Sequence, residues 1–255
     1  EALALAELEV PRIPRDLPRE EWVTGVGPRV FIGAHRGKAL MWTGQLRAAL
    51  GEFSACIVQS EEDGTPEATS YHHCFSAETH YRAGDSDRAF ASARQAEAIS
   101  RALETSGLAA LVQLALGYSH LAAGRAADAV IAAHNALEIL RITDKARAGE
   151  AAAVLAEASL QAGDLSAAQS AADEAILLCR RSLRATYEAV SSGVLARVLL
   201  RRDGAAARDA IGAELASAAE LIERTGARTL APSLLEWRAE LAAVLGDEAE
   251  RGRLL

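Results

Sequence analysis

The sequence predicts an all-α fold, a right-handed α-solenoid of antiparallel helical hairpins, and three observations predict it. Half of the 255 residues are hydrophobic but only 4% are aromatic. Packing therefore falls to Ala and Leu, and alanine is the strongest helix former while β-branched residues are sparse here. Turn glycines recur at Gly44, Gly84, Gly124 and Gly163, at intervals of 40, 40 and 39 residues, followed by Asp203-Gly204 and Gly246. Small residues keep fixed offsets from these markers: Gly37, Ala77, Gly117, Ala156, Ala196 and Ala239 stand seven before them. A fixed period of this length is the signature of a repeat array.

Taken in order, residues Glu1 to Val10 read as the end of a preceding helix. Pro11, Pro14 and Pro18 interrupt it, because proline lacks the N–H that a helix interior needs and biases its predecessor away from the helical region. Residues 1–27 are thus a helix end plus a Pro-rich connector, and residues 28–255 form the repeat domain. In each repeat a first helix carries the small residue at −7, where two helix axes must approach closely. The marker glycine then supplies the left-handed residue that closes that helix. Ala49, Ala89, Ala129 and Ala168, with Cys56, Ala96, Ala136 and Ala175, place small residues on the second helix. Asp85 with Ser86, and Asp164 with Ser166, offer oxygens to cap it. Gly64, Ser106-Gly107, Thr143-Asp144 and Thr225-Gly226 punctuate its end, and Pro232 suits the first turn of the last repeat.

Composition narrows the function. The formal charge of −8 repels a phosphate backbone, which argues against nucleic-acid binding. Three cysteines without CxxC spacing read as thiols of a reducing compartment, and a cytoplasmic location is expected. No apolar run approaches the ~20 residues needed to span a bilayer, so no membrane role is expected. The chain is read as part of a longer protein. Gly33-Ala34-His35-Arg36-Gly37-Lys38-Ala39 has three residues between its glycines where a phosphate-binding loop needs four, and Ala39 replaces the required hydroxyl. Tyr71-His72-His73-Cys74 with His80 is the one metal-like cluster. Adjacent helical residues point ~100° apart, so it does not close around one ion. No catalytic, metal or cofactor residue is assigned, and the chain is not expected to be an enzyme.

The repeat motifs resemble tetratricopeptide repeats: Leu116-Gly117, Gly124, Ala129 and Ala136 match well, and Gly44, Ala49, Phe53 and Cys56 match the second half. The period near 40 exceeds the family's standard 34, and Ala93, Ala133 and Ala172 replace its large second-helix residue. Tyr187-Glu188-Ala189, Val194–Leu200, Glu223–Arg228, Leu235–Ala242 and Gly246–Ala249 resemble a narrower group. They are similar to the C-terminal repeat tail of bacterial proteins that join a class III adenylate/guanylate cyclase domain to an AAA-type ATPase. MalT-like transcriptional regulators carry similar repeats.

The resemblance implies a non-catalytic interaction or sensor module of a bacterial multidomain signalling protein, binding a protein, peptide, partner helix or small effector on its concave face. The alternative it implies is the regulatory region of a cyclase–ATPase or a MalT-like regulator. In that family the first helices line the concave side, and positions 13, 10, 6 and 2 before the marker face inward. Carried over, they give the candidates Phe31, Lys38 and Trp42, then Tyr71, Glu78 and Arg82, then Tyr118, Glu157, Arg197 and Arg201. Aromatic anchors beside a few charges are what partner binding uses. The competing reading packs Tyr71 and Tyr118 between repeats and has Trp42 cover a solenoid end. Self-association through solenoid ends is a further expectation.

Overall fold

A computed structural model describes Ala4, Arg12, Pro18, Arg19, Trp22 and residues 25–103 and 106–255. The expected helix end and most of the Pro-rich connector lie outside the described residues. The rest is helix: α1 Pro28–Trp42, α2 Leu46–Glu62, α3 Pro66–Arg82, α4 Ser86–Leu103, α5 Ser106–Ala122, α6 Ala126–Thr143, α7 Lys145–Gln161, α8 Leu165–Ser182, α9 Ala185–Asp203, α10 Arg208–Thr225, α11 Ala231–Val244 and α12 Glu248–Leu254. The chain divides into two compact units, residues 1–123 and 124–255.

In the first unit, α1 packs on α2, α2 on α3, α3 on α4 and α4 on α5, and the first helices α1, α3 and α5 also touch in series. In the second unit the same rule holds for α6 to α12, with α7, α9 and α11 in series. Gly44, Gly84, Gly124, Gly163, Gly204 and Gly246 all adopt positive φ, a conformation that glycine reaches without a Cβ penalty.

The small residues hold the crossings. Ala77, Ala156 and Ala239 are buried, and so are Gly37 and Gly117. A methyl built on Gly37 would lie inside the Phe53 ring, and one on Gly193 inside the Trp237 indole. Phe53 anchors a cluster with Leu40, Met41 and Ala49, against which Trp42 and Phe75 pack. The second unit has its own cluster of Ala156, Leu160, Ala168, Ala172, Val194 and Val198.

The helix ends follow the expectations, with one correction. α4 is described to Leu103 and α5 begins at Ser106, so the second helix of that repeat ends near Ser106-Gly107 as expected, and these two residues open the next helix. The caps are aspartates, because Ser86 and Ser166 already lie inside α4 and α8. Asp85 accepts from the Arg88 N–H at 3.1 Å and Asp164 from the Ala167 N–H at 2.9 Å. After α9 the chain makes a short 3-10 turn, Gly204–Ala207, before α10 begins.

Candidate functional site

The candidates divide between the two units. Phe31, Lys38 and Trp42 stand on α1, Tyr71, Glu78 and Arg82 on α3, and Tyr118 on α5. In the second unit Glu157 stands on α7 and Arg197 and Arg201 on α9.

The centre of the first group is Glu78, only 2% exposed. Lys38 reaches it from α1, one repeat back, and Arg82, one turn further along α3, donates to it through Nε at 3.3 Å and Nη2 at 3.1 Å. A buried carboxylate is tolerable when charge and hydrogen bonds answer it. Burial pushes the Glu78 pKa up, but the Lys38 and Arg82 charges overcome that and hold it below 4.5. The same two cations lie over aromatic faces. Arg82 stacks 4.0 Å from the Trp42 ring centre and Lys38 sits 5.0 Å from that of Phe75, each contributing roughly 0.5–2 kcal/mol of cation–π attraction. Four of the candidates thus form one network joining α1 to α3.

The remaining three surround it differently. Phe31 is 44% exposed and meets His35 edge-on at 4.8 Å. Tyr71 is half-buried and lies 6.5 Å from Phe75. Tyr118 is 4% exposed and packs on Tyr81 at 5.2 Å. Sequence reading missed His35 and Phe75 as neighbours of this face. The signal was there, since each stands four residues after a named aromatic, one helical turn along the same side.

In the second unit Arg201 donates to the Leu160 carbonyl at 3.1 Å, closing the end of α7 from α9. Arg197 approaches Glu240 on α11 at 3.4 Å, and Glu157 is half-buried. Two further carboxylates are buried nearby in sequence: Glu150 with Arg184 at 3.4 Å and Glu188 with Arg180 at 2.7 Å. These arginines reach across helix junctions and tie helix to helix.

Of the metal-like cluster, His72 is buried beside Phe53 and Phe75 and its Nδ1 faces the Ala68 carbonyl. Burial lowers its pKa against the pull of the Ala68 and Val30 carbonyls. Among the described residues no three His, Cys, Asp or Glu side chains are grouped to hold an ion. Burial pushes the Cys56 and Cys179 thiols up to about 12, so neither forms the reactive thiolate. No helix among the described residues is long and apolar enough to cross a membrane.

No family model matches the chain, and no curated protein matches it. Solved structures do. A protein from Podosopora anserina described as a kinesin light chain with nearly identical tetratricopeptide-like repeats is 16% identical, with a TM-score of 0.50 over 77% of this chain and 96% of that one. A Rap protein complexed with Competence and Sporulation Factor is 13% identical, with a TM-score of 0.65 over 99% of this chain and 82% of the other. A signal-transduction ATPase with numerous domains from Pyrococcus horikoshii, carrying a tetratricopeptide repeat sensor, is 15% identical with a TM-score of 0.58. It is matched over 92% of this chain but only 37% of its own length. At these identities the likeness is one of fold: helical hairpins of the tetratricopeptide-like kind.

Proposed function

We propose that this chain is a non-catalytic docking module that binds a peptide or partner segment on the face built by α1 and α3. The observation that carries it is the exposed Phe31 ring beside His35 on the helix that also presents Lys38 and Trp42. Apolar anchors next to fixed charges give a partner both contact area and register. The network around Glu78 holds that face rigid before a partner arrives, which lowers the ordering cost of binding.

The Rap protein solved with a factor bound and the sensor repeats of the Pyrococcus horikoshii ATPase support the reading. With the resemblance to cyclase–ATPase tails and MalT-like regulators, they favour a sensor segment of a bacterial signalling protein. A peptide-display selection on the purified chain, followed by fluorescence anisotropy of the enriched peptides, tests it. Phe31→Ala removes an exposed ring with no core role, so binding should weaken more than fivefold while helicity stays unchanged. No enrichment, or affinity untouched by Phe31→Ala, overturns the assignment of this face.

A further inference from the structure

We infer that the edge of the second unit formed by the α6/α7 and α8/α9 junctions is a further docking surface, whose partner is an acidic amphipathic segment of another protein. It uses none of the residues of the α1/α3 face, so the two readings stand or fall separately.

Three contacts bring the two junctions to one edge. A methyl on Gly149, in the second turn of α7, would meet the Cys179 sulfur near the end of α8. Arg184, directly before α9, donates to the Glu150 carboxylate of α7 at 3.4 Å. Arg141, near the end of α6, reaches both Glu174 oxygens on α8 through Nη2 at 2.7 and 2.8 Å.

Three large aliphatic side chains stand out from this edge. Ile142 is 84% exposed and Leu183 is 90% exposed. Leu177, one turn after Glu174 on the same side of α8, is 49% exposed. Single exposed aliphatics are ordinary on a protein surface, but grouped ones mark interaction sites. Leu183 is also held there against its backbone preference. Its φ of 57° is one that glycine reaches freely and a leucine rarely, and Gly226 makes the same left-handed cap at the next junction. A strained residue whose side chain buries almost nothing in its own chain points to a role outside that chain.

Charge identifies the occupant. Most arginines of the edge are answered within the fold: Arg141 by Glu138 and Glu174, Arg147 by Asp144, Arg180 by Glu188 and Arg184 by Glu150. Lys145, three residues from Ile142, and Arg181, two from Leu183, are exposed and make no ion pair among the described residues. Each aliphatic tip thus has an unanswered cation beside it, which a partner's carboxylate completes. The net charge of −8 disfavours an extended anionic surface such as a bilayer. A short acidic segment instead feels chiefly the cations within about 8–10 Å of it.

The test selects phage-displayed random peptides on the purified Phe31→Ala chain, which lacks the α1/α3 anchor, and measures the enriched peptides by fluorescence anisotropy. They should set aliphatic residues among Asp and Glu. Leu183→Gly and Ile142→Ser should each weaken binding at least fivefold. Lys145→Glu combined with Arg181→Glu should weaken it at least tenfold and flatten its salt dependence. Glycine suits the left-handed cap, so binding lost in a Leu183→Gly chain that keeps its helicity separates docking from folding. No enrichment, enriched peptides without acidic residues, or affinities untouched by these variants overturn the inference. Co-sedimentation with phosphatidylserine vesicles that Leu183→Gly abolishes, with no acidic peptide bound, overturns it in favour of a membrane. If only peptides sensitive to Phe31→Ala bind the unaltered chain, this edge falls and the α1/α3 face stands.

Discussion

Gly37 meets the edge of the Phe53 ring with nothing between them, and that contact is unforgiving at the scale of one methyl group. Gly37→Ala drives a Cβ into the ring, forcing Phe53 off its rotamer at a cost of roughly 1–3 kcal/mol. Gly51 is the control: on the exposed face of α2 it has no neighbour within 4 Å of a built Cβ, so Gly51→Ala should stabilise by up to about 1 kcal/mol. Urea unfolding of both variants checks the pair, and opposite shifts in midpoint are expected. The small residue at −7 was legible in the sequence because it recurs in every repeat. What each small residue opposes was not: Phe53 stands nine after its marker, but Ala93, Ala133 and Ala172 fill that place in the repeats that follow. The same holds for the site: Lys38, Trp42, Glu78 and Arg82 were named one by one, and only the fold shows one carboxylate shared by two cations.

At the scale of the element, helix ends decide the boundaries. Every repeat turn was legible, because glycine at a left-handed position leaves a mark in the sequence. The junction of α8 and α9 left none. There Leu183 takes φ 57°, the one positive value of a non-glycine among the described residues, and it is 90% exposed. Its backbone does what Gly226 does after α10, at a cost of about 1 kcal/mol for the Cβ. Since the side chain buries almost nothing, Leu183→Gly should raise the thermal midpoint by a few degrees, measured by circular dichroism. An unchanged or lower midpoint would show that left-handed Leu183 carries no strain for glycine to relieve. Ser106-Gly107 marks its boundary from the other side: residues typical of a break also suit a helix's first turn, where the backbone donors are open anyway.

For the whole molecule, pH is the lever that reads the buried groups together. Burial lowers the pKa of His72 below 6.5, and it does the same for His73 and His80. The unfolded chain therefore takes up these protons first, and stability falls as pH drops below about 6.5. Glu78, held below 4.5 by Lys38 and Arg82, contributes stability above that value and loses it as pH falls through its folded pKa. Acid unfolding should proceed in those two ranges. His72→Gln should flatten the fall in urea midpoint between pH 7 and 5.5, and an unaltered slope would place the effect on the other histidines. Repeats of near-equal length invite a helix to pair with the right partner of the wrong repeat, a hazard of repetitive chains. Gly37 admits Phe53 and Gly193 admits Trp237, while Gly33 admits Cys56 and Gly149 admits Cys179, so rings and thiols meet different glycines. An indole offered to the socket cut for a thiol does not seat. Glycine sockets of two kinds thus narrow which helix pairings fit without a clash.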